Sequence, residues 1–469
     1  MRDILDRQRS AFMAELPVSL ATRRDRLRRA IEMIADNSGR FCAALTDDFG
    51  HRSHEQSMLT DIAASVAPLH HALKHLDRWA KPEKKPVLFP LGLLGGRGWI
   101  EYQPKGVIGV IAPWNFPVNL VMSPLAGVLA AGNRAMIKTS EYTPRVAALF
   151  EELGARYFDS EEIAFITGGP EVGKAFAELP FDHLLFTGAT GIARHILHAA
   201  ADNLVPVTLE LGGKSPVIVG RSADMRQATE RVVIGKMMNA GQICLAPDYL
   251  LVAADQEGAA IEGLKAAAST LYPSLIANPD YTAIINDRHH QRLTDWIDDA
   301  RAKGAEVIVV NPADEDFAGS NGRKMPLHII RNTTNAMTVM QEEIFGPILP
   351  VRRYDTIDDA IAEVNRRDRP LALYHFGSDA AERRHVLDRT ITGGVTLDDV
   401  VFHVSQEELP FGGIGPSGMG AYHGEVGFRT FSHAKSVYKQ PRIDVARLAG
   451  LKPPYGAATR KSIARQMKG

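Results

Sequence analysis

Cys244 is the residue whose type and surroundings most directly suggest catalysis. It ends the run NAGQIC (residues 239–244), in which small residues before a lone thiol favour a tight loop where the sulfur can meet a ligand. A thiolate is a strong nucleophile when nearby cationic charge, a helix dipole or backbone donors lower its pKa. Since a lone cysteine is more often a small buried hydrophobic residue, the run alone leaves both interpretations open.

Glu210 ends an apolar strand, just ahead of Gly212 and Gly213. A carboxylate buried there is costly unless it is paired or functional. One interpretation is a glutamate that caps a turn or pairs with Lys214. The other is a general base whose pKa is raised by an apolar site.

Asn115 lies in the run PWNFP (residues 113–117), directly after a predicted strand at 106–111. The two prolines fix the loop, so the Asn115 amide is held in one place. A held amide could donate a hydrogen bond to an oxyanion, although a rigid structural turn would also explain the run.

Two further strand ends suit a nucleotide. Lys138 and Glu141 could bind the two hydroxyls of an adenosine ribose, or form a surface ion pair. Thr187 and Gly188, followed by Gly191, resemble a strand-to-helix turn that presents backbone N–H groups to phosphate. This turn is not a full G-x-G-x-x-G fingerprint and is weak evidence alone.

Two glycine-containing runs occur later in the chain. EEIFGP (residues 342–347) contains Glu343 and Phe345, and PFGGIGPSGMG (residues 410–420) contains five glycines. Such runs favour tight turns or close backbone approach rather than a regular element.

The elements that must position these residues follow two patterns. Residues 1–80 have helical apolar spacing, which includes Cys42, and the basic residues at 23–29 are interpreted as a solvated face. Residues 81–98 are interpreted as a connecting arm. Later apolar runs alternate with helix-length stretches, which predicts parallel sheets in two α/β lobes. The predicted strands are 106–111, 134–138, 163–167, 183–187, 206–209, 216–219 and 249–253, then 306–310, 348–351, 371–376 and 394–397.

Composition excludes several classes of protein. The 54 Lys and Arg residues nearly balance 55 Asp and Glu residues, so a small molecule is a more probable partner than nucleic acid or an anionic membrane. Two cysteines without CxxC spacing support neither a disulfide framework nor a metal site. With no signal peptide and no apolar run of about 20 residues, a cytoplasmic setting is expected.

Together, PWNFP, LELGGKSP (209–216), GQIC (241–244), EEIFGP and PFGGIGPSGMG resemble, in order and spacing, the NAD(P)-dependent aldehyde dehydrogenase superfamily over nearly the whole chain. GMGAYHGEVGFRTFSH (418–433) is similar to the class 3 branch. Within that branch, the runs at 179–190, 246–249 and 284–289 are most similar to bacterial coniferyl aldehyde dehydrogenases.

The resemblance implies roles for the reactive residues. Cys244 attacks the aldehyde carbonyl, the Asn115 amide and the Cys244 N–H hold the oxyanion, and Glu210 activates water to hydrolyse the thioester. Relatives that transfer the acyl group to coenzyme A generally lack this carboxylate, so a free acid is expected. The alternatives are a medium- or long-chain aliphatic aldehyde as substrate or, less favoured, an acyl-transferring reductase.

The resemblance also implies a nicotinamide cofactor, held by Trp114, Lys138, Glu141, Thr187, Gly188, Glu343 and Phe345. NAD is expected because Glu141 would repel a 2′-phosphate, with NADP possible. Ala189, Ala193 and Thr139 depart from common family residues and leave the pyrophosphate contacts open. If the chain after Pro117 is helical, Phe116, Asn119, Leu120 and Ser123 share a face that borders an apolar substrate tunnel.

The implied fold is α/β, of the aldehyde dehydrogenase type. A Rossmann-type NAD-binding domain is expected at 1–80 and 106–208, and an α/β catalytic domain at 209–410. A small β oligomerisation arm and the C-terminal tail are expected at 81–105 and 431–469. An exposed strand arm is an edge that needs a partner. The resemblance implies a homodimer through this arm, with a tetramer less favoured.

Overall fold

Three β-sheets organise the chain in a computed structural model that describes residues 1–320 and 322–468. The strands are β1 (Glu83–Lys85), β2 (Arg97–Pro104), β3 (Val107–Ile111), β4 (Arg134–Lys138), β5 (Ile163–Ile166), β6 (His183–Thr187), β7 (Val207–Glu210), β8 (Pro216–Val219), β9 (Tyr249–Ala253), β10 (Glu306–Val310), β11 (Leu327–Arg331), β12 (Ile348–Tyr354), β13 (Ala372–Phe376), β14 (Gly394–Leu397), β15 (Gly418–Met419) and β16 (Ser432–Lys439).

Helices pack around the sheets and form most of the first 80 residues. They are α1 (Arg2–Glu15), α2 (Leu20–Ala35), α3 (Ser38–Phe49), α4 (His54–Ser57), α5 (Ala64–Trp79), α6 (Asn119–Ala131), α7 (Pro144–Tyr157), α8 (Pro170–Ala177), α9 (Thr190–Asp202), α10 (Met225–Met237), α11 (Glu257–Leu271), α12 (Asp287–Ala302), α13 (Thr338–Gln341), α14 (Ile357–Asn365), α15 (Ala380–Arg389), α16 (Gly424–Thr430), α17 (Val445–Leu448) and α18 (Ala457–Gln466). A π-helical segment, Met58–Ala63, joins α4 to α5.

The first large sheet has the strand order β15-β7-β6-β3-β4-β5. Its strands run parallel except β15, which is antiparallel to β7. β4 is buried throughout, as expected for a parallel strand covered on both faces. Lys138, Thr187 and Glu210 are the last residues of β4, β6 and β7. Because the carboxyl ends of parallel strands lie at the same edge of a sheet, all three residues lie at that edge.

The second large sheet has the order β10-β11-β12-β9-β8-β13-β14, parallel except for the antiparallel edge strand β10. All eleven predicted strands overlap observed ones, so the predicted alternation of strands and helices is confirmed. β11 was not predicted. β8 and β9 belong to this second sheet, although in sequence they follow directly on the strands of the first.

The third sheet is small and antiparallel, with the order β1-β2-β16. It joins the segment after α5 to the chain that follows α16. The domain bounds given above stay a prediction, since sheet membership does not by itself fix where a domain ends. Glu210, placed in the predicted catalytic domain, ends a strand of the first sheet.

The basic residues of α2 correct one expectation. Arg26 is only 2% exposed and forms ion pairs with Glu15 (2.8 Å) and Glu162 (2.9 Å). Arg23 is also buried and donates to the backbone oxygen of Ala130. The solvated-face interpretation was therefore wrong for these two residues, because partners distant in sequence compensate their charges.

Within residues 1–320 and 322–468, no helix combines the length and the apolar composition needed to cross a bilayer.

Candidate active site

The loop that carries Cys244 has an unusual backbone. Asn239 and Ala240 both have φ of 50°, and Gly241 has φ of 74°. Left-handed conformations are disfavoured for residues with a Cβ and persist only when surrounding contacts hold them. A Cβ built at Gly241 would lie 2.4 Å from the Gly346 oxygen, so only glycine fits there. The predicted tight loop is confirmed.

Two side-chain amides hold this loop against the Asn115 loop. Asn239 Nδ2 donates to the backbone oxygens of Asn115 (3.1 Å) and Gln242 (3.2 Å). Asn115 Nδ2 donates in turn to the Gln242 oxygen (3.1 Å). Gln242 Nε2 donates to the Asn239 oxygen (2.9 Å), which closes the network. The Asn115 side chain is thereby bonded to the residue two positions before Cys244. One of its amide hydrogens is left for another acceptor.

A buried ion pair supports the Asn115 loop from behind. Arg52 and Asp61 are both fully buried and lie 2.6 Å apart. Arg52 donates to the Asn115 backbone oxygen (2.9 Å), while Asp61 accepts from the N–H groups of Val118 (3.0 Å) and Asn119 (3.2 Å). Residues from the first helical segment therefore position the predicted oxyanion donor.

Glu210 is 2% exposed at the end of β7. Within residues 1–320 and 322–468, neither of its carboxylate oxygens has a hydrogen-bond partner. Burial raises its pKa well above the usual value. Lys214 instead forms a buried ion pair with Asp248, so the alternative in which Lys214 neutralises Glu210 is wrong.

Cys244 lies close enough to two carboxyl groups for their charges to affect the pKa of its thiol. Burial raises the pKa of its thiol to about 12, and the charges of Glu343 and Glu210 act in the same direction. Burial also raises the pKa of Glu343 to about 8. The thiol is thus protonated at neutral pH, unlike the cation-activated thiolate considered above, and its reaction requires a group that accepts the proton.

A cavity of about 430 Å³ opens at Cys244. Its lining is mostly apolar, with residues from the π-helical segment, α5, α6, α10 and the segment 399–407. Phe116, Asn119, Leu120 and Ser123 all line it, which confirms that these four residues border one apolar cavity. Glu407 is a carboxyl-bearing residue of the wall, and burial raises its pKa to about 7.

The predicted cofactor residues fall into two groups. Lys138 is buried and lies 3.9 Å from the Glu141 carboxylate, which is more exposed. Gly188 follows Thr187, and its N–H donates to the backbone oxygen of Glu210 (3.0 Å). These four residues lie at the carboxyl-terminal edge of the first sheet, where α/β folds bind nucleotides.

The second group lies closer to Cys244. The Trp114 and Phe345 rings pack edge to face with centroids 5.4 Å apart, and Phe345 has φ of 51°. A Cβ built at Gly212 would lie 2.3 Å from Glu343 Oε1, so the glycine leaves room for this carboxylate. Glu343 also lies close enough to Cys244 for its charge to raise the pKa of the thiol.

Sequence reasoning missed several residues of this site. Gln242 lies inside the GQIC run, and its amide is a signal that could have been noticed. Glu407, Tyr422 and the Arg52–Asp61 pair are distant in sequence from the reactive residues. Tyr422 lies close enough to Glu210 and Cys244 for their charges to raise the pKa of its hydroxyl, after burial itself.

Comparison with known proteins identifies relatives over the full chain. The model of the aldehyde dehydrogenase family matches residues 2–437. The probable coniferyl aldehyde dehydrogenase of Caulobacter vibrioides is 55% identical over 100% of this chain and 97% of that protein. The coniferyl aldehyde dehydrogenase of a Pseudomonas species is 52% identical, covering 97% and 93%. Mouse aldehyde dehydrogenase family 3 member A2 is 37% identical, covering 92% and 86%.

Solved structures show the same fold. The substrate-bound AldH of Staphylococcus aureus superposes with a TM-score of 0.91 at 36% identity, over 99% of both chains. A Mycobacterium tuberculosis aldehyde dehydrogenase in complex with NAD⁺ gives a TM-score of 0.83 at 26% identity, over 94% and 90%. The predicted fold and family resemblance are confirmed, and this chain belongs to the aldehyde dehydrogenase family, whose members oxidise aldehydes.

Proposed function

We propose that this enzyme oxidises an aromatic aldehyde of the coniferyl type to the free carboxylic acid, with NAD as the hydride acceptor. One observation carries the proposal. A half-buried thiol that lines a large apolar cavity lies near a buried carboxylate that has no hydrogen-bond partner among residues 1–320 and 322–468. This arrangement suits a nucleophile and a general base that act on one carbonyl carbon.

In the first half of the reaction, the Cys244 sulfur bonds to the aldehyde carbon, and the thiol proton passes to solvent in the cavity. The carbonyl oxygen becomes an oxyanion, which accepts hydrogen bonds from the Asn115 amide and the Cys244 N–H. Asn115 keeps one amide hydrogen for this purpose, because only one is used by Gln242. Loss of hydride from the adduct then re-forms the carbonyl as a thioester.

In the second half, Glu210 takes a proton from water as the water oxygen attacks the thioester carbon. The carbon–sulfur bond breaks, the acid is released, and the proton held by Glu210 passes to the Cys244 sulfur, which restores both groups. The raised pKa of Glu210 matches this role, because a base is most effective when its pKa approaches the working pH.

The residues present fit a nicotinamide dinucleotide, which when bound supplies the hydride acceptor. α9 begins after Gly188, and its N-cap Ala189 has no side-chain cap bond in the described structure, so first-turn N–H groups can bind phosphate. Lys138 and Glu141 would hold the adenosine ribose, with the Glu141 carboxylate favouring a free 2′-hydroxyl and hence NAD.

Nearer the reactive carbon, Glu343 and Phe345 would position the nicotinamide ribose. Trp114, Thr187 and Gly188 would line the cofactor path. Glu343 Oε1 is buried without a hydrogen-bond partner in the described part of the chain, which suits a carboxylate awaiting ribose hydroxyls.

The cavity wall favours a phenolic substrate over a simple alkyl chain. Phe116 and Phe411 provide aromatic surface, while Asn119, Ser123 and Glu407 provide polar groups for hydroxyl and methoxy substituents. Two relatives that are 55% and 52% identical carry the coniferyl aldehyde name, which supports the same preference here.

An aldehyde panel tests this proposal. Coniferyl aldehyde, benzaldehyde, hexanal and decanal are compared with NAD and with NADP by following the reduced cofactor and identifying the product. We expect kcat/KM to be highest for coniferyl aldehyde with NAD, and the product to be the free acid. A preference for decanal would replace the aromatic substrate with an aliphatic one, and absence of cofactor reduction with every aldehyde would contradict the proposal as a whole.

We further propose a cytoplasmic homodimer that pairs through the three-stranded sheet β1-β2-β16, with the domain bounds given above. β16 leaves one edge without a neighbouring strand in the described sheet, and an unpaired edge favours pairing with another chain. Light scattering should give the mass of a dimer. A proline substitution at Val437 in β16 should shift it toward the monomer, whereas an unchanged mass would contradict this interface.

A further inference from the structure

Two histidines and a glutamate lie together outside the reactive centre. His71 and His75 are four residues apart on α5 and therefore on the same helix face. Glu408 approaches from the segment that follows the short helix Phe402–Ser405. His71 Nε2 and His75 Nε2 lie 3.4 Å and 3.8 Å from the same oxygen, Glu408 Oε1.

The spacing of these atoms suits a transition-metal ion. All three ligand atoms lie within 4.8 Å of one another. Ligands about 2.1 Å from a tetrahedral Zn²⁺ are roughly 3.4 Å apart, so small side-chain rotations would complete the geometry. His71 Nε2 is also buried, with no hydrogen-bond partner among residues 1–320 and 322–468.

The surroundings keep both imidazoles ready as ligands. The Trp79 ring stacks on His75, with an interplanar angle of 23°, and restricts its orientation. Arg78 lies 3.9 Å from the other oxygen of Glu408, Oε2, so Oε1 stays available.

We propose that His71, His75 and Glu408 form a Zn²⁺ site with one coordination position left to water. Two nitrogen ligands and one carboxylate form a set that zinc accepts with an open fourth position. The site would join α5 to the segment 402–408. Both elements line the substrate cavity, through Ala67 and Glu407 among others, so zinc would brace two of its walls.

Zinc binding is measured by calorimetric titration of the full chain after treatment with a chelator. A C244S background removes the reactive thiol, which would itself bind zinc. We expect one zinc per chain, and at least tenfold weaker binding in H71Q, H75Q and E408Q. His70, an exposed neighbour on α5, provides the matched control H70Q, which should bind like the C244S parent.

Thermal unfolding provides a second measurement. Zinc should raise the unfolding temperature of the parent and of H70Q, and the shift should be lost in H75Q, whose side chain is exposed enough for the variant to fold. The proposal is overturned if the C244S parent binds no zinc, or if H71Q, H75Q or E408Q binds it as tightly as the parent.

Discussion

The two cysteines occupy regions that differ in one decisive respect. Cys42 is 2% exposed in α3, packed into the helical core, and burial raises the pKa of its thiol. Burial also raises the pKa of Cys244, to about 12. Both thiols are therefore protonated at neutral pH, and the pKa does not distinguish the reactive one. Cys244 lines the cavity of about 430 Å³ and has near it a buried carboxylate without a hydrogen-bond partner in the described part of the chain, whereas Cys42 is not among the residues that line this cavity.

The backbone around Cys42 also differs from the backbone before Cys244. Cys42 continues a regular helix, which any helix-forming sequence can provide. Cys244 follows three residues with positive φ that the Asn115 and Gln242 hydrogen bonds keep in place. The reactive thiol is therefore set apart by its access to substrate and by a base for the later hydrolysis, and the fold holds a strained loop to place it there.

The largest expected difference is in kcat/KM between the variants that remove one thiol or the other. C244A should lower kcat/KM for coniferyl aldehyde by at least about 10⁴-fold, because no covalent adduct can form. C42A should leave kcat/KM within about twofold and cost only about 1 kcal/mol of stability, through lost packing. Cofactor reduction and denaturant unfolding measure the two effects. Comparable activity losses in both variants would remove the distinction between the two cysteines.

Glu210→Gln separates the two halves of the reaction. Without the base, thioester hydrolysis should slow by about 10²–10⁴-fold. A burst of about one reduced cofactor per site should remain, since hydride transfer precedes hydrolysis. Stopped-flow absorbance measures the burst. Unchanged steady-state turnover would show that another group activates the water.

The pH profile of wild-type turnover has a defined sign. Glu210 acts as a base in its ionised form, and burial raises its pKa above the usual value. Turnover should therefore fall as pH decreases through that raised pKa, and a carboxylate at its ordinary pKa would place the fall at lower pH.

Asn115→Ala tests the oxyanion donor. Loss of one such donor should raise the barrier by about 3 kcal/mol, a decrease of about 10²-fold in kcat. Asn119→Ala is a control in the same cavity, which should alter substrate preference and spare hydride transfer. If the two variants lose kcat equally, Asn115 only supports the loop.

Glu407→Gln gives the smallest effect and concerns specificity. Glu407 lines the cavity, and its pKa of about 7 makes it ionise in the working range. Above that pH the carboxylate should accept a hydrogen bond from the substrate phenol. The preference for coniferyl aldehyde over its O-methyl ether should therefore increase with pH by about tenfold.

Asp399 gives a matched control for Glu407, because it lines the same cavity but lies 3.8 Å from Arg231. Asp399→Asn should keep the pH-dependent preference, and Glu407→Gln should abolish it. A preference that survives in Glu407→Gln would show that this carboxyl does not contact the phenol.

Much of the fold could be predicted because apolar periodicity reports burial directly. Strands such as β3 and β4 are continuous apolar runs, and they were found within a residue of their ends. β11 was missed, since its run LHIIR is short and contains two basic or titratable residues. The inward-facing Arg23 and Arg26 were misinterpreted because a charge pattern does not reveal distant partners such as Glu162.

The reactive residues were recognisable because each lies in a run whose glycines, prolines and polar residue are locally unusual. The placement of Cys244 beside Glu210 and Glu343 results from sheet assembly, which no single run encodes. The high thiol pKa could not be predicted either, since it arises from burial and from carboxylates contributed by other segments.

The Arg52–Asp61 pair makes the first helical segment an internal part of the catalytic apparatus rather than a cover. It fixes the backbone of Asn115 and the start of α6 through hydrogen bonds from Arg52 and to Asp61. An amino-terminal truncation beyond residue 61 would therefore abolish catalysis even if both large sheets survived. A separate peptide that supplies the removed residues should restore turnover and stability together, because the same buried ion pair supports both.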